Sequence, residues 1–316
     1  MLTLSDVLAA RETIKDAVRV TPVFSSTQLG ARIGATLWLK AESLQKTGSF
    51  KPRGALNRVR NTPRAELERG LITVSAGNHA QGVAWAAREA GVPCTVCMRA
   101  NASHSKVAAT RGYGAEVLLI EGSVPELFAE AERLAVERGL LLVHPYDDEL
   151  IMAGQGTLGL EIVEQVPDVD VVVCSVGGGG LLSGVALAVK SLKPSVRVYG
   201  VEPTGAASMR RAWDAGEPVA LERVVTIADG LAAPGAGAHC YALARQYVDD
   251  ILVVTDDEII AALKDILVYA KLYVEPGAAA SVAALLTGTV PVQNGETVVA
   301  VLSGGNLDLE VLKGML

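Results

Sequence analysis

Val169-Asp170-Val171-Val172-Val173-Cys174-Ser175-Val176-Gly177-Gly178-Gly179-Gly180-Leu181-Leu182-Ser183-Gly184 decides the fold. Its first half is a nearly unbroken apolar run, the pattern of a strand buried on both faces of a parallel sheet. Four glycines then break the run, and an apolar helical stretch follows. Val171 to Val189 carry no charge and approach the length of a membrane span. The glycines in the middle make strand, loop and helix the better reading. Outward from this unit the same alternation recurs. Strands are expected at Thr36-Leu39, Leu71-Ser75, Cys94-Met98, Glu116-Ile120, Leu140-Val143, Val169-Cys174, Val196-Val201, Ile251-Val254 and Thr297-Leu302. Helices are expected between most of them, among them Asn78-Ala90, Pro125-Arg138 and Asp256-Leu272. This is an α/β pattern with mostly parallel strands. Nine strands are many for one doubly wound sheet, so two sheets are expected. No solenoid repeat or low-complexity tract interrupts the pattern, and no composition shift marks a linker.

Half of the 316 residues are apolar and 20% are charged, enough for a sizeable core. The net charge of −7 argues against nucleic acid or an anionic membrane surface as partner. Ser5-Asp6 and Arg11-Glu12 interrupt the N-terminus too soon for a secretory segment. Cys94 and Cys97 form a lone CxxC on an expected strand, where odd spacing sends the two thiols to opposite faces. No second pair completes a zinc site. With Cys174 and Cys240 they read as core thiols in a reducing cytoplasm.

Three further stretches carry chemistry. In Lys46-Thr47-Gly48-Ser49-Phe50-Lys51-Pro52-Arg53-Gly54-Ala55, Lys51 falls at the start of an expected helix, with Ser49 as N-cap and Pro52 in the first turn. The positive end of the helix dipole favours a neutral amine there, able to attack an aldehyde and form a Schiff base. The plain alternative is a solvated lysine. In Ser75-Ala76-Gly77-Asn78-His79, a strand-to-helix turn offers free N–H groups to a carboxylate and the Asn78 amide to an oxygen. Equally, Ser75 or Asn78 could be a simple cap, and His79 a hydrogen-bonded structural residue. In Leu302-Ser303-Gly304-Gly305-Asn306, a serine follows the last strand, where α/β sheets bind ligands. A polar turn explains it as well. The quartet Gly177, Gly178, Gly179 and Gly180 suits an anion at a helix N-terminus. No lysine stands in the Walker A position. Gly177, Gly179 and Gly184, with Glu202 beyond, loosely imitate a dinucleotide-binding turn, so an oxidoreductase stays open on this motif alone.

Together, in this order and spacing, the four motifs resemble the fold-type II pyridoxal-phosphate enzymes, and most closely the threonine/serine dehydratases and serine racemases. Ala153-Gly154-Gln155-Gly156-Thr157, Ile227-Ala228-Asp229-Gly230 and Val274-Glu275-Pro276 agree, and the resemblance covers almost the whole chain. It implies a tryptophan-synthase-β-like fold with two open twisted sheets. A large domain would comprise 1–65 and 149–316, and a small mobile substrate domain 66–148. Pyridoxal 5'-phosphate (PLP) would be the cofactor. The resemblance implies that Lys51 holds it as a Schiff base and later moves the α-proton. Gly177, Gly178, Gly179, Gly180 and Leu181 would cradle the phosphate. Phe50 and Gly230 would flank the ring, Asn78 would meet its hydroxyl and Ser303 its nitrogen, with Glu275 also at the cofactor. Ser75, Ala76, Gly77, Asn78 and His79 would bind the substrate carboxylate.

The implied reaction converts L-threonine to 2-oxobutyrate, or L-serine to pyruvate, with ammonia released. The chain stops soon after Ser303, which resembles the short, catabolic kind without a regulatory domain. Dehydration of another 3-hydroxy amino acid, such as 3-hydroxyaspartate or phenylserine, or serine racemisation, is the alternative. Ala76 stands where racemases carry a second serine, the base on the face opposite the lysine, so racemase loses weight. The racemases' cation site maps to Glu202, Ala206 and Ser208, and one carboxylate makes a poor divalent site. A monovalent or divalent cation there stays an open expectation. A homodimer or dimer of dimers in the cytoplasm is the implied assembly.

Overall fold

The valine run folds as a central strand in the computed structural model, which describes residues 2–316. In chain order the strands are β1 (Val23–Ser25), β2 (Thr36–Ala41), β3 (Leu71–Val74), β4 (Cys94–Arg99), β5 (Glu116–Ile120), β6 (Leu141–Leu142), β7 (Val171–Ser175), β8 (Arg197–Pro203), β9 (Asp250–Val254) and β10 (Thr297–Leu302). They form a six-stranded sheet ordered β1-β2-β10-β7-β8-β9 and a four-stranded sheet ordered β5-β4-β3-β6. Every neighbouring pair is parallel except β1 with β2. The α/β, two-sheet expectation therefore holds.

The register explains the apolar run. Val172 of β7 aligns with Val299 of β10 and Val198 of β8. These three, with Cys174 and Val301, enter one core cluster beside the helices Glu149–Gln165 and Gly180–Leu192. Val171 and Val173, with Val298 and Ala300, enter the cluster on the other face, beside the helix Pro276–Leu286. Helices cover both faces, so successive residues of β7 are all buried. Each such valine contributes about 1.5–3 kcal/mol by leaving water.

The four-stranded sheet lies within residues 66–148. Cys94 packs on one face with Val96 and Met98, and Cys97 on the other with Ile72 and Leu127, as the odd spacing predicts. All four cysteines are free and buried. Burial pushes the Cys94 and Cys174 thiols up to about 12, which keeps them inert. The helix Lys51–Arg60 sends Ala55, Leu56 and Val59 into the same cluster as Cys94. It crosses Glu149–Gln165 closely. A Cβ on Gly154 would come within 2.5 Å of the Arg53 carbonyl oxygen, and one on Gly54 within 2.7 Å of the Ile151 carbonyl oxygen.

Most strand ends shift by a residue or two, and three details differ more tellingly from expectation. β1 is an additional strand. It is a three-residue, partly exposed edge piece, too short to show alternation. The valine strand starts at Val171 rather than Val169 and runs to Ser175. The helix from Asp256 is α-helical only to Asp265, then widens into a π-turn over Ile266–Ala270. Lys271, at φ +58°, ends it. No helix among the described residues is long and apolar enough to cross a membrane.

An ionic cluster is sealed beneath the lysine helix. Arg53 bonds Glu42 through Nε at 2.7 Å and Nη2 at 2.9 Å, and Glu161 through Nη1 at 2.6 Å. Lys40 Nζ reaches the same Glu161 at 2.5 Å. Lys40, Glu42 and Arg53 are 0% exposed. The cluster ties the helix that begins with Lys51 to β2 and to Glu149–Gln165.

Candidate active site

β2, β10 and β7 are neighbours, so their carboxyl ends set three loops side by side: the lysine loop, the Ser303 loop and the glycine loop. The Asn78 turn joins them from the carboxyl end of β3.

Lys51 opens its helix, but Ser49 is not the cap. Ser49 is extended (φ −161°) and bridges to Gly304, while Phe50 occupies the cap position with no side-chain bond. The bridge to the Ser303 loop outcompetes capping because it also satisfies Phe50, whose N–H donates to the Ser303 carbonyl at 3.1 Å. Lys51 Nζ donates to the Pro145 carbonyl at 2.7 Å and lies 5.2 Å from the centre of the Phe50 ring. Burial lowers its pKa to about 8. Desolvation, more than the helix dipole, supplies the neutral amine.

The glycine quartet follows β7 and leads into Gly180–Leu192. Gly179, the N-cap, sits at φ +102° and offers no side-chain cap. A Cβ on Gly178 would fall 2.3 Å from the Tyr146 ring. Leu181 is buried just inside the helix. Gly230 lies beside this loop: a Cβ on Gly177 would stand 3.2 Å from the Gly230 carbonyl oxygen. Ser303, 4% exposed, accepts a hydrogen bond from Ser175 at 3.3 Å, one strand over.

Asn78 is the first residue of the helix Asn78–Ala90. Its Nδ2 donates to Glu275 Oε1 at 2.6 Å, and its Oδ1 accepts from Asn306 Nδ2 at 2.7 Å. Burial raises the Glu275 carboxyl to about 7 against the opposing pull of the Asn78 hydrogen bond. Gly77 N–H donates to Ser75 Oγ at 3.1 Å. The His79 ring is turned onto the Val143 carbonyl at 3.2 Å, the structural arrangement. Burial, then the nearby lysine charge, holds its pKa well below the usual histidine value. Ala76 packs its methyl against the core that contains Ala80 and Val83.

The cation expectation finds a different partner. Glu202 is 0% exposed, and its carboxylate accepts from the Met209 N–H at 2.8 Å and the Arg210 N–H at 2.7 Å. It thereby caps the helix Ser208–Ala215. Ser208 Oγ adds a bond at 3.5 Å, and Ala206 could offer a cation only its backbone carbonyl. The described residues contain no group of three or more His, Cys, Asp or Glu placed to hold a metal.

Sequence reasoning gave no role to Asn306, Pro145 or Tyr146. Asn306 was visible in its motif; the other two carry no sequence signal.

The sequence pattern of the family described as pyridoxal-phosphate dependent enzyme matches residues 14–304. The chain belongs to that family. An L-threonine ammonia-lyase from Geobacter sulfurreducens is 43% identical over 99% of this chain and 77% of its own length. A catabolic L-threonine dehydratase from Staphylococcus aureus is 39% identical over all of this chain and 92% of its own. Among solved structures, maize serine racemase superposes with a TM-score of 0.95 at 36% identity, covering 99% of this chain and 96% of that one. A processed threonine deaminase from Solanum lycopersicum gives 0.93 at 36% identity, over 99% and 86%. The fold is thus PLP fold type II, and the dinucleotide alternative is set aside. The site fits the cofactor. A desolvated lysine bonds the Pro145 carbonyl, and the next residue, Tyr146, packs on a glycine turn that has no room for a side chain at Gly178. On the lysine loop itself the Thr47 and Ser49 hydroxyls are buried without partners.

Proposed function

We propose that this PLP-dependent enzyme is a threonine ammonia-lyase. It removes water and ammonia from L-threonine to give 2-oxobutyrate, and from L-serine to give pyruvate. Full-length similarity to enzymes named for that reaction carries the assignment. The site geometry supplies a coherent set of roles.

PLP, when bound, supplies an electron sink for the bond made weak at the substrate Cα. Lys51 would hold it, and Gly177 to Leu181 would receive its phosphate at the uncapped helix N-terminus. Phe50 and Gly230 would border the ring. With its pKa lowered to about 8, Lys51 has a share of neutral amine near physiological pH, and in that form it would take the α-proton at Nζ once substrate has replaced it on the cofactor. Ser303 accepts from Ser175, which leaves its own proton free to donate to the ring nitrogen. A neutral donor there would leave that nitrogen less protonated than a carboxylate would, which suits prompt elimination. Ser75, Ala76, Gly77, Asn78 and His79 would receive the substrate carboxylate: Ser75 through its hydroxyl, because its N–H donates to the Cys97 carbonyl, Gly77 by exchanging its bond to Ser75 Oγ, and His79 through its backbone because its ring is engaged with Val143. Residues 66–148 would move as a small domain over this site. A cytoplasmic homodimer or dimer of dimers completes the reading; the buried free thiols agree with a reducing compartment.

The methyl of Ala76 is the observation that separates lyase from racemase. Racemisation needs a proton donor on the face opposite Lys51, and Ala76 has none. The test is incubation of holoenzyme with L-threonine and L-serine, scoring keto acid and D-serine. 2-Oxobutyrate and pyruvate without D-serine, all lost in Lys51→Ala, support the proposal. D-serine formed as fast as pyruvate, or product only from 3-hydroxyaspartate, overturns it.

A further inference from the structure

One polar chain joins three of the four motifs at Asn78. Asn306 Nδ2 donates both to the Thr47 carbonyl at 2.7 Å and to Asn78 Oδ1 at 2.7 Å. Asn78 Nδ2 then donates to Glu275 Oε1 at 2.6 Å. The direction of this chain is set at its start. A backbone carbonyl can only accept, so the end of Asn306 that faces Thr47 must be its NH2. That same NH2 faces Asn78, so the end of Asn78 facing it must be the oxygen. The Asn78 NH2 is thereby turned to Glu275, spends one hydrogen there, and has a second left over.

The backbone is bent to make this contact. Thr47 is one of two described non-glycine residues at positive φ, +57°. Such a conformation costs about 1–3 kcal/mol and persists where surrounding contacts over-determine it. Its neighbour Gly48, at φ +75°, leaves room for Asn306: a Cβ there would fall 2.7 Å from Asn306 Oδ1. The strained turn belongs to the loop that delivers Lys51, and Asn306 is its clasp.

We propose that Asn306 is a positioning residue: anchored by the Thr47 carbonyl, it fixes the orientation of the Asn78 amide so that an N–H, not the carbonyl, faces the cofactor. The proposal rests on the reading that Asn78 meets the ring hydroxyl of PLP. Asn306 itself need not touch cofactor or substrate. Its effect passes through Asn78 and differs from simple support of the loop.

The experiment is titration of cofactor-free protein with PLP, read by affinity and by the position of the cofactor absorption band, which reports hydrogen bonding at the ring hydroxyl. Asn306→Ala leaves the Asn78 amide held by Glu275 alone, with its oxygen unanchored, and should weaken PLP roughly tenfold and move the band. Asn306→Asp offers only acceptors, so Asn78 turns its NH2 toward it and its carbonyl toward the ring. The loss should then exceed that of the alanine variant, again by roughly tenfold. Asn306→Ser, a donor too short to reach both partners, should resemble alanine and serves if the aspartate variant fails to fold. In an Asn78→Ala background, each substitution should change affinity less than about twofold. If Asn78→Ala has its effect but Asn306→Ala is equally harmful with or without Asn78, Asn306 merely supports the Thr47 turn and the proposal is overturned. If Asn78→Ala leaves both affinity and band unchanged, the role of Asn78 is wrong and the proposal falls with it.

Discussion

Arg53→Met should destabilise the protein far more than removal of an ordinary helix residue, and for an electrostatic reason. Arg53 is 0% exposed and donates to Glu42, Glu161, Thr157 and the Arg19 carbonyl. Methionine fills much of the same volume, so little of the loss comes from a cavity. Glu161 keeps Lys40 at 2.5 Å. Glu42 keeps the Thr21 hydroxyl at 2.5 Å but loses its direct ion pair, and the remaining nearby charge, that of Lys40, is already bonded to Glu161. Breaking a buried pair from one side costs about 3–5 kcal/mol. In the parent protein, burial raises the Glu42 carboxyl and Arg53 more than offsets it, so its pKa lies below the usual value. Its contribution is therefore present above the ordinary carboxylate range and fades as pH falls through the lowered value. Without Arg53 the sign reverses: burial, the largest influence, outweighs the Thr21 hydrogen bond and the Lys40 charge, the pKa rises, and protonation relieves the cost. The loss in Arg53→Met should shrink as pH falls toward the carboxylate range, and Arg53→Met with Glu42→Gln should recover part of it at neutral pH. Urea unfolding of the cofactor-free variants across pH measures this. A loss below about 1 kcal/mol, or a double variant no more stable than the single one, refutes the reasoning.

Three further outcomes follow from the site. The rate at which cofactor-free protein captures PLP should rise with pH and level off above about 8, where Lys51 is neutral; a rate flat across that range in stopped-flow absorbance would place the amine's titration elsewhere. Gly178→Ala sets a methyl against the Tyr146 ring, 2.3 Å away, and should weaken PLP at least tenfold or so by displacing the loop; unchanged affinity in equilibrium titration would show that Tyr146 moves freely. Ala76→Ser should create D-serine formation from L-serine while PLP stays bound, since a placed proton donor is worth roughly 10²–10⁴-fold; chiral chromatography that finds none removes Ala76 as the reason for lyase selectivity.

The sequence by itself determined the α/β class, the two sheets and the order of the four motifs, Lys51 among them. These are local signals: an apolar run is a strand buried on both faces, and four glycines before a helix are a turn without side chains. β1 escaped because three residues cannot show a period, and the π-turn after Asp265 because it depends on how Lys271 ends the helix. The tertiary structure alone decided how the site is wired. The Arg53 pair with Glu161 spans 108 residues, that of Asn78 with Glu275 spans 197, and that of Asn78 with Asn306 spans 228. No local spacing encodes such pairs, because each side chain takes the partner the fold brings within 3 Å or so. For the same reason Ser49 was read as a cap and became a bridge to Gly304. Only the fold shows that the Glu202 carboxylate caps the helix Ser208–Ala215, and the amine of Lys51 owes its low pKa to burial, which exists only once the chain has folded around it.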